Sequence, residues 1–348
     1  AIGIRLDARP PHGLNVRRQN VDRLATVEEY GMFWKVLLST LLFSVVTAQA
    51  QQYPDRPVRV IVGFAAGSGP DIQARTIAQQ LTASLGQSFF VENRLGANGT
   101  IAARAVAQSS PDGYTLLFSS SSIAPTPHIY RNLGYDTLAD LSPIATVGLL
   151  DGMLMLVDSN SPIQSVADFI SLAKRERVLY GSPGVGNALH LATEVFSQKA
   201  DISLQHVPYK GASEVMTALL GGSVQMMFVT PPSVVGLVKE GRVRALAFTG
   251  SKPFPEFPQV PLLKDILPSY EPMGSWGMFF ATGKTPTAIV DQLNAAIQDA
   301  LKVPTVSTIM RRDGYIPDNR GAAETAAFFR AEVERMGLAV KAAKIQPN

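Results

Sequence analysis

The residues with the means to do chemistry sit in two loops of small side chains. In "VGFAAGSGPDIQAR", residues 62–75, an apolar run ends at Phe64. Ala65, Ala66, Gly67, Ser68 and Gly69 follow, and then a helical stretch that carries Asp71 near its start. "YGSPGVGNALHLATEVF", residues 180–196, repeats the arrangement. A strand ends at Ser182, Gly184 and Gly186 open the backbone, Asn187 can cap the helix, and His190 lies one turn in. The first turn of a helix presents unpaired N–H groups and about half a positive charge. Each loop therefore suits an anion. Two such termini facing each other across a cleft would hold a carboxylate without any Arg or Lys. The bland readings are a tight turn with Asp71 as an N-cap and a hydrogen-bonded structural role for His190.

Other chemistries fit these residues less well. A phosphate-binding P-loop needs Lys and then Ser or Thr after its last glycine, and Gly69 is followed by Pro70 and Asp71. A dinucleotide fingerprint comes closer. Gly67 and Gly69 give G-x-G after a strand, and Glu92 stands where a ribose-binding acid belongs. Its third glycine position is Ile72, however, and Pro70 interrupts the turn. No G-x-S-x-G motif is present, and no spacing pairs Ser68 or Ser182 with a histidine as base. His12, His128, His190 and His206 lack the i, i+4 spacing of metal ligands, so neither a metal nor any other cofactor is expected. The run of four serines beginning at Ser119 ends a strand, where it offers hydroxyls to a ligand or forms a polar loop. Trp276, Tyr209 and the Met226–Met227 pair read as core.

The elements that must position the loops alternate along the chain. Residues 58–64 form a continuous β-branched strand, as in a sheet covered on both faces. A helix over 71–85, the strand "SFFVEN", a small-residue helix over 100–109 and the strand "YTLLFSS" complete a βαβαβ unit. A second unit follows, with strands "LMLV", "VLYGS", "LQHVPY", "VQMMFV" and "VRALAFT" separated by helices over 166–174, 188–200, 212–220 and 233–240. Four prolines in "GSKPFPEFPQVP" break the pattern. Then come the strand "GMFFAT" and helices over 286–302, 306–313 and 322–344. The expected fold is α/β with two lobes, each a mainly parallel sheet flanked by helices. Residues 51–152 plus 250–348 form the first lobe, 153–249 the second, and two hinge crossings join them.

The chain has 348 residues, 46% of them hydrophobic and 17% charged, which supports about two packed domains. No run of Lys and Arg marks a nucleic-acid surface. "FWKVLLSTLLFSVVTAQA", residues 33–50, has the basic start, apolar centre and small-residue end of an export signal. It is short for a membrane helix, which needs about 20 apolar residues. Residues 1–31 look like an upstream extension before a start at Met32. Removing residues 1–50 takes six Lys or Arg from 31 and four Asp or Glu from 28, leaving 25 against 24. A nearly neutral protein must find its anion through local geometry. With no cysteine, disulfides and thiol chemistry are excluded. Export into the periplasm, as a monomer, is the expectation.

Several ordered stretches carry a family resemblance. "YPDRPVRVIVGFAAGSGPDIQAR", "FFVENRLGANGTIAARAVAQSSPDGYTLLF", "GSPGVGNALHLATEVF", "HVPYKGASEVMTALLGGSVQMMF" and "VKEGRVRALAFTGSKPFPEFPQVP" resemble the Bug-type extracytoplasmic solute receptors of tripartite tricarboxylate transporters. The likeness runs from about residue 53 to the C-terminus. It implies a periplasmic binding protein of type II topology that hands a small solute, usually a carboxylate, to membrane permease subunits. It also implies that the carboxylate is gripped by the two loops, through Phe64, Ala65, Gly67, Ser68 and Asp71 in the first and Ser182, Gly184, Gly186, Asn187 and His190 in the second. This chain departs from the family pattern at Gly63, where Pro is usual, at Ser68-Gly69, where two glycines are usual, and at Asn187, where Ser is more common. Val229 stands where an Asp is common. That argues against a ligand with an amino group there, and with Phe279 and Phe280 it points to a less polar or aromatic acid. A ligand sensor for a signalling receptor is the alternative function, and an enzyme on the same scaffold is a further one.

Overall fold

The computed structural model describes residues 53–312, 314–343 and 345. The expected leader, residues 1–50, lies outside them. Six strands form one sheet: β1 (Val58–Val62), β2 (Phe89–Asn93), β3 (Thr115–Ser120), β4 (Leu141–Leu150), β10 (Ser275–Thr282) and β11 (Tyr315–Pro317), in the order β11-β4-β10-β3-β1-β2. β1 pairs with β2 and β3 in parallel, and β10 is inserted antiparallel between β3 and β4. The second set comprises β5 (Leu154–Asp158), β6 (Val178–Ser182), β7 (Leu204–Pro208), β8 (Met227–Val229) and β9 (Val243–Phe248). Its pairings are β8-β5-β9 and β6-β7, and a parallel bridge from Tyr180 to Met226 links the two.

The resulting order, β7-β6-β8-β5-β9, repeats β2-β1-β3-β10-β4. In the first sheet β1, β2, β3 and β4 run one way and β10 and β11 the other; in the second, β5 runs against β6, β7, β8 and β9; β10 and β5 are the strands entered after crossing from the other sheet. The reason is geometric. β4 leaves its sheet at the edge nearest the second sheet, so the chain enters β5 from that edge and must run away from it, against its neighbours.

Apolar alternation decides which helix covers which face. Val60, Val62, Leu116, Phe118 and Phe279 meet α1 (Gly69–Leu85), α6 (Thr287–Lys302) and α7 (Pro304–Arg312) through Ile77, Leu81, Leu293, Ile297 and Met310. Ile61, Leu117, Met278 and Phe280 face the other way, onto α2 (Thr100–Ala107) and α8 (Ala322–Ala342) through Val106, Phe329 and Met336. A strand covered on both sides has no polar face, which is why 58–62 reads as an unbroken apolar run. The second sheet is covered by α3 (Val166–Ala173), α4 (Ala188–Lys199) and α5 (Ala212–Leu220).

Two features differ from the sequence expectation. β4 is absent from it, because Pro143 reads as a strand breaker. Pro143 sits opposite Phe280 at a register shift, where the ladder already skips a step. The proline-rich stretch after residue 249 is no return to the first lobe. Phe254, Phe257, Val260 and Leu262 pack with Val215, Met227 and Phe248 of the second sheet, and Tyr270 and Met273 join its other face. Prolines fixed the backbone of this stretch, but the apolar residues between them carry too much surface to leave in water. The chain re-enters the first sheet at Ser275, after Gly274.

The crossings lie against each other. A Cβ on Gly152 would lie 2.3 Å from the Gly250 nitrogen, and one on Gly274 would lie 2.1 Å from the Leu150 carbonyl oxygen. Thr249 ties them: its Oγ1 donates to the Met273 carbonyl at 2.6 Å and accepts from the Met153 N–H at 2.8 Å.

Candidate functional site

The first loop, residues 63–68, leaves β1 at the carboxyl edge of its parallel strands, where open α/β sheets bind ligands. Gly63 has a close-approach requirement, since a Cβ there would lie 2.6 Å from the Gly99 Cα. Ser68 is the N-cap of α1 by backbone geometry, yet its side chain caps nothing. Asp71 does that work from inside the helix. Its buried carboxylate accepts from the Gly67 N–H at 2.8 Å, the Arg75 guanidinium at 3.0 Å and the Asn93 amide at 2.8 Å. Burial alone would raise its pKa, but the hydrogen bonds from Arg75, Asn93 and Gly67, with the Arg75 charge, leave it below the ordinary carboxylate range. Asp71 is thus neither the expected N-cap residue nor a group free to meet a ligand. It holds the loop from beneath. Asn93, which the sequence reading missed, also donates to the Phe64 carbonyl at 2.9 Å.

The loop's remaining donors can be counted. Gly67 N–H goes to Asp71 and Ser68 N–H to the Ala65 carbonyl. Among the described residues no hydrogen bond engages the N–H groups of Ala65, Ala66 or Gly69, and the buried Ser68 hydroxyl has no partner. Ala65 and Ala66 are exposed, so their N–H groups face solvent, whereas the Ser68 hydroxyl departs from the rule that buried polar atoms are satisfied.

The second loop, residues 183–187, follows β6 into α4. Gly184 and Gly186 have φ of 118° and 75°, the left-handed region that glycine enters at least cost. Asn187 caps α4, as its type suggested, by accepting from the Leu189 N–H at 3.0 Å. Three neighbouring N–H groups are also taken. Asn187 donates to the Gly184 carbonyl at 3.2 Å, and Ala188 to Ser122 Oγ at 3.4 Å. Gly186 donates to His190 Nδ1 at 3.0 Å. The helix terminus expected to be open from sequence is therefore largely occupied. Gly184, Val185 and His190 are positions whose N–H groups are left without a hydrogen bond among the described residues.

Beneath this loop lies a polar cluster that no spacing revealed. The rings of His190 and His206 are 4.1 Å apart, with Tyr180 stacked on His206 at 5.0 Å. Ser182 Oγ lies 2.7 Å from His206 Nε2 and 3.1 Å from the Gly184 carbonyl, to which it donates. His206 Nε2 therefore carries the proton and donates to the serine. The Tyr180 hydroxyl donates to Glu194. Burial pushes His190 down to about 3, helped by the neighbouring His206, and pushes His206 down to about 4. Burial raises Glu194, with the Tyr180 bond opposing. Both imidazoles are neutral near pH 7, and His190 can act only as an acceptor toward Gly186. A serine–histidine pair therefore exists, but Ser182 is fully buried and its hydroxyl is committed to Gly184. It buttresses the loop and meets no substrate.

Four other residues that the sequence put forward for the ligand sit elsewhere. Ser119 is buried within β3, opposite Met278. From that serine run it is Ser122 that reaches the second loop. Val229 packs in the apolar core of the second sheet with Leu154 and Leu219. Phe279 and Phe280 pack on opposite faces of β10, against Phe118 and Phe329. These last three side chains are buried in the apolar cores. Glu92, the would-be ribose acid, pairs with Arg94 at 2.5 Å and Arg59 at 3.7 Å. Trp276 lies in the core as expected, donating to Glu332 at 2.9 Å.

The turn whose Gly99 packs on Gly63 of the first loop reaches the second loop through Asn98. Asn187 Nδ2 donates to Asn98 Oδ1 at 2.9 Å. "GANG" at 96–99 signalled a turn, but nothing in the sequence signalled its partner.

Comparison with known proteins agrees with this geometry. Residues 73–345 match the family described as tripartite tricarboxylate transporter family receptor. The chain is 32% identical to protein BugT of Bordetella pertussis over 296 residues, 84% of this chain and 90% of that one. The R. palustris protein Rpa4515, solved with adipate, superposes with a TM-score of 0.80 at 33% identity, over 85% of this chain and all of that one. MatC from Rhodopseudomonas palustris, solved with malate, gives 0.77 at 29% identity, over 83% of this chain and all of that one. Donor-rich loops at the carboxyl edges of two like-ordered sheets, and a family match over most of the chain, lead to one conclusion: this chain belongs to the tripartite tricarboxylate transporter receptor family of two-lobed periplasmic binding proteins.

Proposed function

We propose that this chain is a non-catalytic extracytoplasmic receptor that closes two lobes on a small carboxylate and presents it to membrane permease subunits. The observation that carries the reading is the set of donors on the first loop without a partner among the described residues, from Ala65, Ala66, Gly69 and Ser68, with a second glycine loop hydrogen-bonded to the neighbouring 97–99 turn through Asn187 and Asn98. Neither loop contains a Lys or Arg. The grip is built from backbone dipoles, which suit a carboxylate and need no net positive field. Adipate and malate in the related structures support the ligand class. The hinges we propose are residues 151–153 and 273–275, where glycines let the crossing backbones touch. Among the described residues no helix is long and apolar enough to cross a membrane, and export through the apolar segment at 33–50 fits this role.

A thermal-shift and calorimetric screen of residues 51–348 against adipate, malate, aromatic acids and nicotinamide dinucleotides tests the reading. Any ligand bound only by the folded state raises its apparent stability. A shift with a carboxylate class is expected. A shift with a dinucleotide and none with any acid would overturn the proposal.

A further inference from the structure

We propose that Asn98 is a positioning residue that latches the closed form, with Asn187 as its partner on the opposite lobe. The inference rests on the receptor reading for its purpose and on the two-sheet architecture for its geometry.

Asn98 belongs to a turn, Ala97–Gly99, that follows β2 in the first sheet. Asn187 precedes α4 beside the second sheet. Their 2.9 Å hydrogen bond therefore spans the two bodies. Both side chains are used fully. Asn187 gives its oxygen to the Leu189 N–H and its amide nitrogen to Asn98. Asn98 takes that bond on its oxygen and turns its own amide toward the Ser122 carbonyl at 3.5 Å. A helix cap and a cross-lobe contact thus share one asparagine, which a serine at 187 cannot reproduce, because its single oxygen cannot stand both at the capping position and where Nδ2 reaches Asn98.

The backbone is arranged for this contact. Ala97 and Asn98 have φ of 44° and 56°, two successive non-glycine residues in the left-handed region. Asparagine tolerates that region better than most residues, alanine does not. Such strain persists only where surrounding contacts determine it. Here the turn is held within its own lobe by the Thr100 hydroxyl, which donates to the Ala97 carbonyl at 2.8 Å, and from the other lobe by Asn187. Two further contacts cross the lobes beside it: Ala188 N–H to Ser122 Oγ at 3.4 Å, and Gly186 so close to Ile129 that a Cβ would fall 2.0 Å from Ile129 Cδ1. The seat for the second loop is thus formed by the first lobe. Separation of the lobes would break the Asn98–Asn187 bond and give both amides to water.

The absence of cysteine makes the test direct. Spin labels at Q79C and S171C, exposed positions on α1 and α3, report the separation of the lobes in ligand-free protein. Ligand-free measurement keeps this result apart from the identity of the cargo. Asn98→Gly keeps the left-handed backbone and removes the side chain. Asn187→Ser keeps an oxygen for the Leu189 N–H and removes the amide arm that reaches Asn98. Each is expected to lower the closed-to-open ratio about three- to tenfold, the worth of one net hydrogen bond. The double variant should fall no further than either single one, since both remove the same bond. Unchanged circular dichroism and thermal midpoints show that the variants fold. A distance distribution unmoved by either substitution, additive losses in the double variant, or a parent chain already fully open would each overturn the latch.

Discussion

His190 Nδ1 accepts the Gly186 N–H at 3.0 Å, from a ring buried one helical turn beyond the loop it supports. That bond fixes the tautomer, the protonation state and the shape of the second loop together. A protonated His190 would present N–H against N–H, so the neutral form is part of the fold.

His190→Phe should therefore cost stability even though it preserves ring and volume. It strands a buried amide, for which the penalty is about 1–3 kcal/mol. Chemical denaturation should show that loss, and calorimetry with a bound carboxylate should show weaker affinity. Equal affinity would mean that the loop does not depend on its support.

Stability should fall in mild acid. His190 and His206 have folded pKa values depressed to about 3 and about 4, below an unfolded value near 6.5. Between those limits the unfolded chain takes up protons that the folded chain refuses, so stability is full above about pH 6.5 and is lost as pH falls. Glu194, raised by burial, opposes the trend over its own range and offsets at most one proton. The slope of unfolding free energy against pH near pH 5 should amount to about two protons from the histidines less the fraction that Glu194 offsets, a net of about one to two. In His206→Gln that slope should drop by about one proton, measured by denaturant titration at a series of pH values.

Val229→Asp should act as a core lesion and leave specificity aside. The Val229 side chain is 1% exposed among Leu154, Val215 and Phe248, with no cation beside it in that cluster. An unpaired charge placed there costs several kcal/mol, on the order of 3–5. A low yield or a sharply lowered melting midpoint is expected. A well-folded variant with a new preference for amino acids would contradict the packing.

Gly274→Ala should impair the hinge. Its Cβ would meet the Leu150 carbonyl oxygen at 2.1 Å, a backbone atom that cannot swing aside. Overpacking of this kind costs about 1–3 kcal/mol. The lobe separation measured by scattering should change in the ligand-free variant. An unaltered scattering profile and an unaltered melting midpoint would remove the hinge assignment.

Much of this molecule is legible from local pattern. Unbroken β-branched runs such as 58–62 mark strands covered on both faces, and glycines beside Ser68 and Asn187 mark strand-to-helix loops, because each signal depends on neighbours in sequence. The N-cap role of Asn187 follows from its side chain and position alone. Other features needed the tertiary structure. Asn93 supports the first loop from a different strand, and His206 meets Ser182 from 24 residues away. Val229 and Phe279 differ from cleft residues only in the direction they point, which strand register sets. The residues at 254–273 joined the second sheet because apolar area outweighed their prolines. Sequence determined which loops offer N–H groups. Only the fold decided which of those groups remain unpaired, because every competing acceptor, from the Asp71 carboxylate to the His190 ring, is placed by packing.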